Sequence, residues 1–188
     1  MKHLSKGSRL IVFVITLSIV TGCAISGGKV PRTKLTAPVE DQAKPTLFYS
    51  IYSWEWGEIS KEEFLEELRK SQYFKNITND SLDQADIEMY VTLNKGPNSI
   101  PEGMGYFSGM TAAMIPEWGT DDYILEVRVK NKIGLEKEYK LEDSVTVVIW
   151  LPLIVFTPFT LNTDENVRRN MYRNIIQQMY EDGFMGEI

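Results

Sequence analysis

The chain's hydrophobic patterning predicts an α+β domain, an antiparallel sheet of about five strands with two helices packed on one face. Three observations carry this. Apolar residues alternate at Ile87, Met89, Val91 and Leu93, and again at Tyr123, Leu125, Val127 and Val129. A short turn, Asn131-Lys132-Ile133-Gly134, follows the second run. Apolar residues recur at helical spacing at Phe64, Leu65 and Leu68, and at Val167, Met171, Ile175 and Met179. Consecutive strands joined by short turns pair antiparallel, and each amphipathic helix has to bury its stripe against the sheet.

In chain order, Leu47-Phe48-Tyr49-Ser50-Ile51-Tyr52 is rich in strand formers. Ser60-Lys61-Glu62-Glu63 has the form of a capping box, with Ser60 as N-cap and Glu63 at N3, and starts a helix to about Ser71. The strand around Ile87–Leu93 ends in a turn at Asn94-Lys95-Gly96-Pro97-Asn98. Gly103 to Ile115 is glycine-rich and apolar and is expected to be a strand. Ile115 to Tyr123 is expected to be a turn, and Glu136 to Ile149 the long partner of the Tyr123 strand. Asn162 or Thr163 caps the last helix and Gly183 stops it. Its methionine stripe is expected to be core, with Arg168, Arg169, Arg173 and Asp182 off it.

The first residues have the layout of an export signal. Lys2, Lys6 and Arg9 precede an apolar run from Leu10 to Val20. About 11 helical residues span roughly 16 Å, short of a bilayer core of about 30 Å. The run ends in Val20-Thr21-Gly22-Cys23. These four residues resemble the lipobox of bacterial lipoproteins, which implies diacylglycerol on the Cys23 thiol and cleavage before it. Ala24, where Asp tends to retain such proteins on the inner membrane, implies the outer membrane. Residues 1–22 are therefore expected to be signal peptide, and 23–46 the lipidated cysteine and a flexible tether. That segment is polar, with Gly27-Gly28, Pro31, Pro38 and Pro45. Extended, it reaches roughly 70 Å. Residues 47–188 are expected to form a single α+β domain.

The composition excludes much chemistry. The only cysteine is Cys23 and the only histidine is His3, inside the signal. The mature chain then has no Ser-His-Asp or Cys-His nucleophile, no histidine- or cysteine-ligated metal and no disulfide. No cofactor is expected. The signal holds three of the 20 basic side chains and none of the 26 acidic ones, leaving 17 against 26, a net charge of −9. Such a surface repels nucleic acid.

Three segments are candidates for function. Gly103-Met104-Gly105-Tyr106-Phe107-Ser108-Gly109 misses the G-x-G-x-x-G spacing by one place and has no P-loop lysine, so a bend or a close approach is the better reading. Val145 to Phe159 is the most apolar stretch, broken by Pro152 and Pro158. It is either a buried strand leading into a packed crossover, or a lip whose Trp150, Pro152, Phe156 and Phe159, with Trp118, touch membrane or a partner. The turn from Ile115 to Tyr123 carries three carboxylates, Glu117, Asp121 and Asp122, which could do acid–base work in a cleft, although neighbouring aspartates serve equally as turn residues.

The run Gly109 to Ile115, then Pro116-x-Trp118-x-Thr120-Asp121-x-Tyr123, then Asp143-Ser144-Val145-Thr146 is similar to a set of uncharacterised bacterial membrane lipoproteins of the lipobox type. The resemblance covers about a third of the chain and implies a fold and a compartment, but no activity. The expectation is a non-enzymatic lipoprotein facing the periplasm, held on the membrane by its N-terminal lipid and docked to an envelope protein of an assembly or transport system. The alternatives are a carboxylate-based hydrolase of cell-wall glycan and a membrane-interacting oligomer.

Overall fold

A computed structural model of the chain describes residues 23–38, 44–53, 57–96, 110, 114, 117–150 and 163–185. The elements are β1 (Cys23–Gly27), β2 (Thr46–Ser53), α1 (Gly57–Ser71), β3 (Asn76–Thr78), β4 (Ile87–Lys95), β5 (Glu117–Asn131), β6 (Glu136–Ile149) and α2 (Thr163–Glu181). The strand order is β1-β6-β5-β4-β2-β3. The chain divides into two compact units. The larger comprises Gly27–Pro97, Asp121–Ser144 and Asp164–Ile188, the smaller Met1–Ser26, Asn98–Thr120 and Val145–Thr163. Strands β5 and β6 each run from one unit into the other.

The α+β class holds, but the sheet is mixed rather than antiparallel. β2 pairs parallel with β4 (Leu47 opposite Ile87, Ile51 opposite Val91) and parallel with β3 (Thr46 opposite Asn76). β4 pairs antiparallel with β5, with Val91 opposite Val127. The reason is the connection. A helix separates β2 from β3 and β4, so the chain crosses over and re-enters the sheet in the same direction. The tight turn between β5 and β6 closes with the Asn131 N–H on the Leu135 carbonyl (2.9 Å) and the Asn131 side chain on the Leu135 N–H (2.8 Å). Gly134 takes a φ of 92° there, a conformation open to glycine.

The core of the larger unit follows the alternation. Leu47 and Tyr49 of β2, Ile87, Met89, Val91 and Leu93 of β4, and Tyr123, Leu125, Val127 and Val129 of β5 are buried. Both helices cover that face. α1 contributes Phe64, Leu65 and Leu68; α2 contributes Val167, Met171, Tyr172, Ile175, Ile176 and Met179, so the methionine stripe is core. Phe64 meets Tyr172 edge to face, centroids 5.0 Å apart. The opposite face carries charge and hydroxyls, with Arg128 paired to Glu138 and Lys140 to Glu126 and Glu142.

Two other expectations are corrected. α1 begins at Gly57, so Ser60 is not its N-cap. Ser60 and Glu63 turn inward and are buried; Glu63 receives Arg168 from α2. A tertiary partner outcompetes the local capping bond. The stretch Glu117–Asp122, expected as part of a turn, is the first part of β5. Of the stretch Gly103 to Ile115, expected as strand, only Met110 and Met114 lie within the described residues, and Met110 has helical backbone. The glycine run 103–109 lies outside them.

Candidate functional site

Five residues were expected as contacts: Trp118, Trp150, Pro152, Phe156 and Phe159. Pro152, Phe156 and Phe159 lie outside the described residues. Trp118 stands on β5 with 46% of its surface exposed, and its unit also exposes Met110 (70%) and Met114 (64%). Trp150, just after β6, is half-buried and its indole N–H donates to the Met114 carbonyl at 3.1 Å. In the same unit, the Thr120 and Thr146 hydroxyls meet at 3.0 Å. The smaller unit thus shows soft apolar side chains to solvent, with one tryptophan tied to the backbone that carries them. Met110 and Met114 escaped sequence reasoning. Their signal was the methionine content of an apolar run read as a strand.

The carboxylate candidates do not converge. Asp121 and Asp122 are neighbours on β5 and so point to opposite faces. Asp121 pairs with Lys95 at 3.0 Å. The Asp122 carbonyl accepts the Gly96 N–H at 2.8 Å, and its Cβ closes on the place a side chain at Gly96 would need. Among the described residues, no group of three acidic, histidine or cysteine side chains could hold a metal ion. No helix among them is long and apolar enough to cross a membrane.

The strongest polar constellation lies between the helices. Arg168 grips Glu63 with two bonds of 2.9 Å and also binds Asp164. Arg169 reaches Glu66 (2.7 Å), Glu67 (2.8 Å) and Glu165 (2.7 Å). Arg173 makes a forked contact with Glu67 at 2.7 and 3.1 Å. Burial of Glu67 works against its charge, but the bonds from Arg173 and Arg169 outweigh it and hold its carboxyl below the ordinary range. Bonds from Lys70 and Arg169 lower Glu66 to about 2. The planar guanidinium matches two carboxylate oxygens at once, which makes this a structural clamp.

The residues ahead of β2 also carry partners. The Lys29 and Val30 N–H groups donate to the Asp143 carboxylate (2.6 and 3.3 Å). The Thr33 N–H donates to Asn170 Oδ1 (2.9 Å), and the Thr36 N–H to Gln177 Oε1 (2.9 Å). In return, Asn170 Nδ2 donates to the Val30 and Pro31 carbonyls (3.1 Å each) and Asn174 Nδ2 to Pro31 (3.0 Å). The Tyr73 hydroxyl caps the Thr36 carbonyl at 2.5 Å.

No protein-family model and no curated protein matches the chain. Among solved structures, the chain is similar to rare lipoprotein B from Shewanella oneidensis at 13% identity and a TM-score of 0.42, covering 73% of this chain and 95% of that one. It is similar to a minor lipoprotein from Acinetobacter baumannii at 7% identity and a TM-score of 0.40, covering 73% and 91%. It is also similar to a PelC dodecamer from Paraburkholderia phytofirmans at 8% identity and a TM-score of 0.27, covering 79% and 97%. At these identities and scores the likenesses carry no argument about what this chain does.

Proposed function

We propose that the chain from Cys23 onward is a non-enzymatic bacterial envelope lipoprotein, anchored through acyl chains on Cys23 and docked to another envelope protein through its smaller unit. It faces the periplasm, with the outer membrane as its site. The observation that carries the reading is Val20-Thr21-Gly22-Cys23 placed directly behind a short apolar run, with Cys23 the only cysteine of the chain. Each buried CH₂ contributes about 0.8 kcal/mol, so two chains anchor stably. The docking half is supported by the exposed Met110, Met114 and Trp118, since methionine and tryptophan adapt to partner surfaces. Trp150, Pro152, Phe156 and Phe159 complete the proposed contact set.

The test is intact mass of the protein purified from membranes, followed by in-cell crosslinking of wild type and a Trp118→Asp/Trp150→Asp variant. The expected results are a diacylated Cys23 and one dominant partner lost in the variant. An unmodified Cys23 overturns the anchor, and a partner retained by the variant overturns the docking face. The same exposed side chains favour a second reading, direct contact with the membrane surface. Binding of the unlipidated Cys23→Ser protein to liposomes, abolished by Trp118→Asp, selects it. The glycan-hydrolase reading gains no support from the divergent Asp121 and Asp122.

A further inference from the structure

The polar segment ahead of β2 binds α2 in a way that a plain spacer has no need of. Asn170, Asn174 and Gln177 are four and three residues apart, which places their amides in a row along one helix face. A side-chain amide offers an acceptor and two donors, so a row of them can satisfy both the N–H and C=O groups of an extended chain. Here they do. Asn170 and Gln177 accept from Thr33 and Thr36, while Asn170 and Asn174 donate to Val30 and Pro31. Gln177 Nε2 also donates to the Thr36 hydroxyl (2.9 Å), and the Thr33 hydroxyl donates to Asn174 Oδ1 (2.8 Å). Asp143 holds the start of the segment and Tyr73 its end. Arg32, Lys34 and Thr36 are exposed, so the segment is fastened by a polar ladder and buries little. Such fastening opens without disturbing a core.

We propose that residues 29–36 are a seated leash: the amide row of α2 holds them and, together with the edge strand β1 ahead of them, sets how far the domain stands from the membrane that carries its lipid. The proposal rests on the lipoprotein reading above. With the leash seated and β1 beside β6 in the sheet, the acylated Cys23 lies on the sheet's edge strand, and the Gly28 N–H is held by the Ser144 carbonyl (3.3 Å), so no free spacer stands between lipid and domain. With the leash and the short edge strand β1 released together, the chain is free as far as β2, roughly 75 Å. The seat and β1 together therefore switch the domain between a short and a long reach.

The segment provides its own reporter. Lys29, Arg32 and Lys34 are tryptic sites within it, while Lys44 is followed by Pro45 and is not cut. The full-length lipidated protein in liposomes is treated with trypsin, and release of the domain is followed by mass of fragments beginning at Val30, Thr33 or Leu35. In wild type, release is slow. In an Asn170→Ala/Asn174→Ala/Gln177→Ala variant it is about tenfold to a hundredfold faster, as loss of several hydrogen bonds predicts. Thr36→Pro leaves α2 untouched, removes the 36 N–H, and accelerates release in the same direction. Equal release from wild type and Thr36→Pro overturns the seat. Protein that fails to sediment with liposomes before trypsin overturns the anchor instead, and the cleavage rates then still decide the seat.

Discussion

Gln72 closes α1 with a φ of 58°, in the left-handed region where a side chain is crowded. Its N–H bonds back to the Arg69 carbonyl at 3.2 Å, and its side chain is exposed, so nothing but the backbone needs the position. Gln72→Gly is therefore expected to stabilise the domain by about 0.5–1 kcal/mol, read as a raised Tm. Gly96 is the opposite case. A Cβ there meets the Asp122 Cβ at 2.8 Å, and the Gly96 N–H is bonded to Asp122. Gly96→Ala is expected to cost about 1–3 kcal/mol in urea unfolding, as overpacking does. Glu67 is 1% exposed and shared by Arg169 and Arg173. Glu67→Ala removes the forked partner of Arg173, while Arg169 keeps Glu66 and Glu165, and is expected to cost about 1–3 kcal/mol; a cost near zero would show the clamp to be decorative. The sequence marked Gly96 as a turn, but neither the strain at Gln72 nor the sharing of Glu67 has a local signature.

At the scale of elements, β2, β4, β6 and the larger part of β5 were legible, the short β1 and β3 were not, and neither were the strand directions. Alternation at Ile87–Leu93 and Tyr123–Val129 reports which face is buried, and both runs are buried as expected. It says nothing about which strand lies beside which. The parallel pairing of β2 with β4 depends on where α1 carries the chain, a tertiary fact. The Ser60 capping box failed for a related reason, since Glu63 finds Arg168 105 residues away. That pair joins the two helices through a bidentate contact in a half-buried setting. A double-mutant cycle on Glu63→Gln and Arg168→Met is expected to give a coupling of about 1–3 kcal/mol, and a coupling near zero would assign helix pairing to the apolar contacts alone. Trp118, expected as a contact, is exposed, and the exposed Met110 and Met114 lie in a run expected to be a strand.

For the whole molecule, the carboxylates set the response to acid. The Thr46 N–H and Lys132 hold Asp86 low, Lys137 and Tyr139 do so for Asp182, and Glu66 falls from 4.5 to about 2. A carboxylate held lower in the folded state than in the unfolded one contributes stability above its unfolded pKa, and that stability is lost as pH falls through the folded value. The window is therefore about pH 4.5 down to about 2. At the alkaline end, burial and the neighbouring Asp182 raise Tyr139, and burial with Asp164 raises Tyr123, both above the ordinary 10.0. A raised acid pKa contributes stability that is lost above pH 10. With no histidine beyond residue 3, a calorimetric scan is expected to give a flat Tm from pH 6 to 8, falling on either side at those limits. A transition centred near pH 6.5 would contradict it. What the sequence concealed at this scale is the seating of residues 29–36, because a polar, proline-spaced composition looks the same whether or not distant amides are waiting for it.

Those amides come late. Thr33 and its partner Asn170 are 137 residues apart, and Thr36 and Gln177 are 141 apart. Ribosomes and export channels deliver a chain from its N-terminus, so the front of this protein arrives long before anything that can hold it. The same is true of the sheet, whose inner face waits for Met171, Ile175 and Met179 on the last helix. A chain that stops short of residue 163 has a loose segment 29–36 beside an uncovered sheet. Such fragments leave residues 29–36 without their amide partners and the inner face of the sheet without its last helix, two defects that α2 removes at once. The front of the chain is thus fastened only once its last helix is in place.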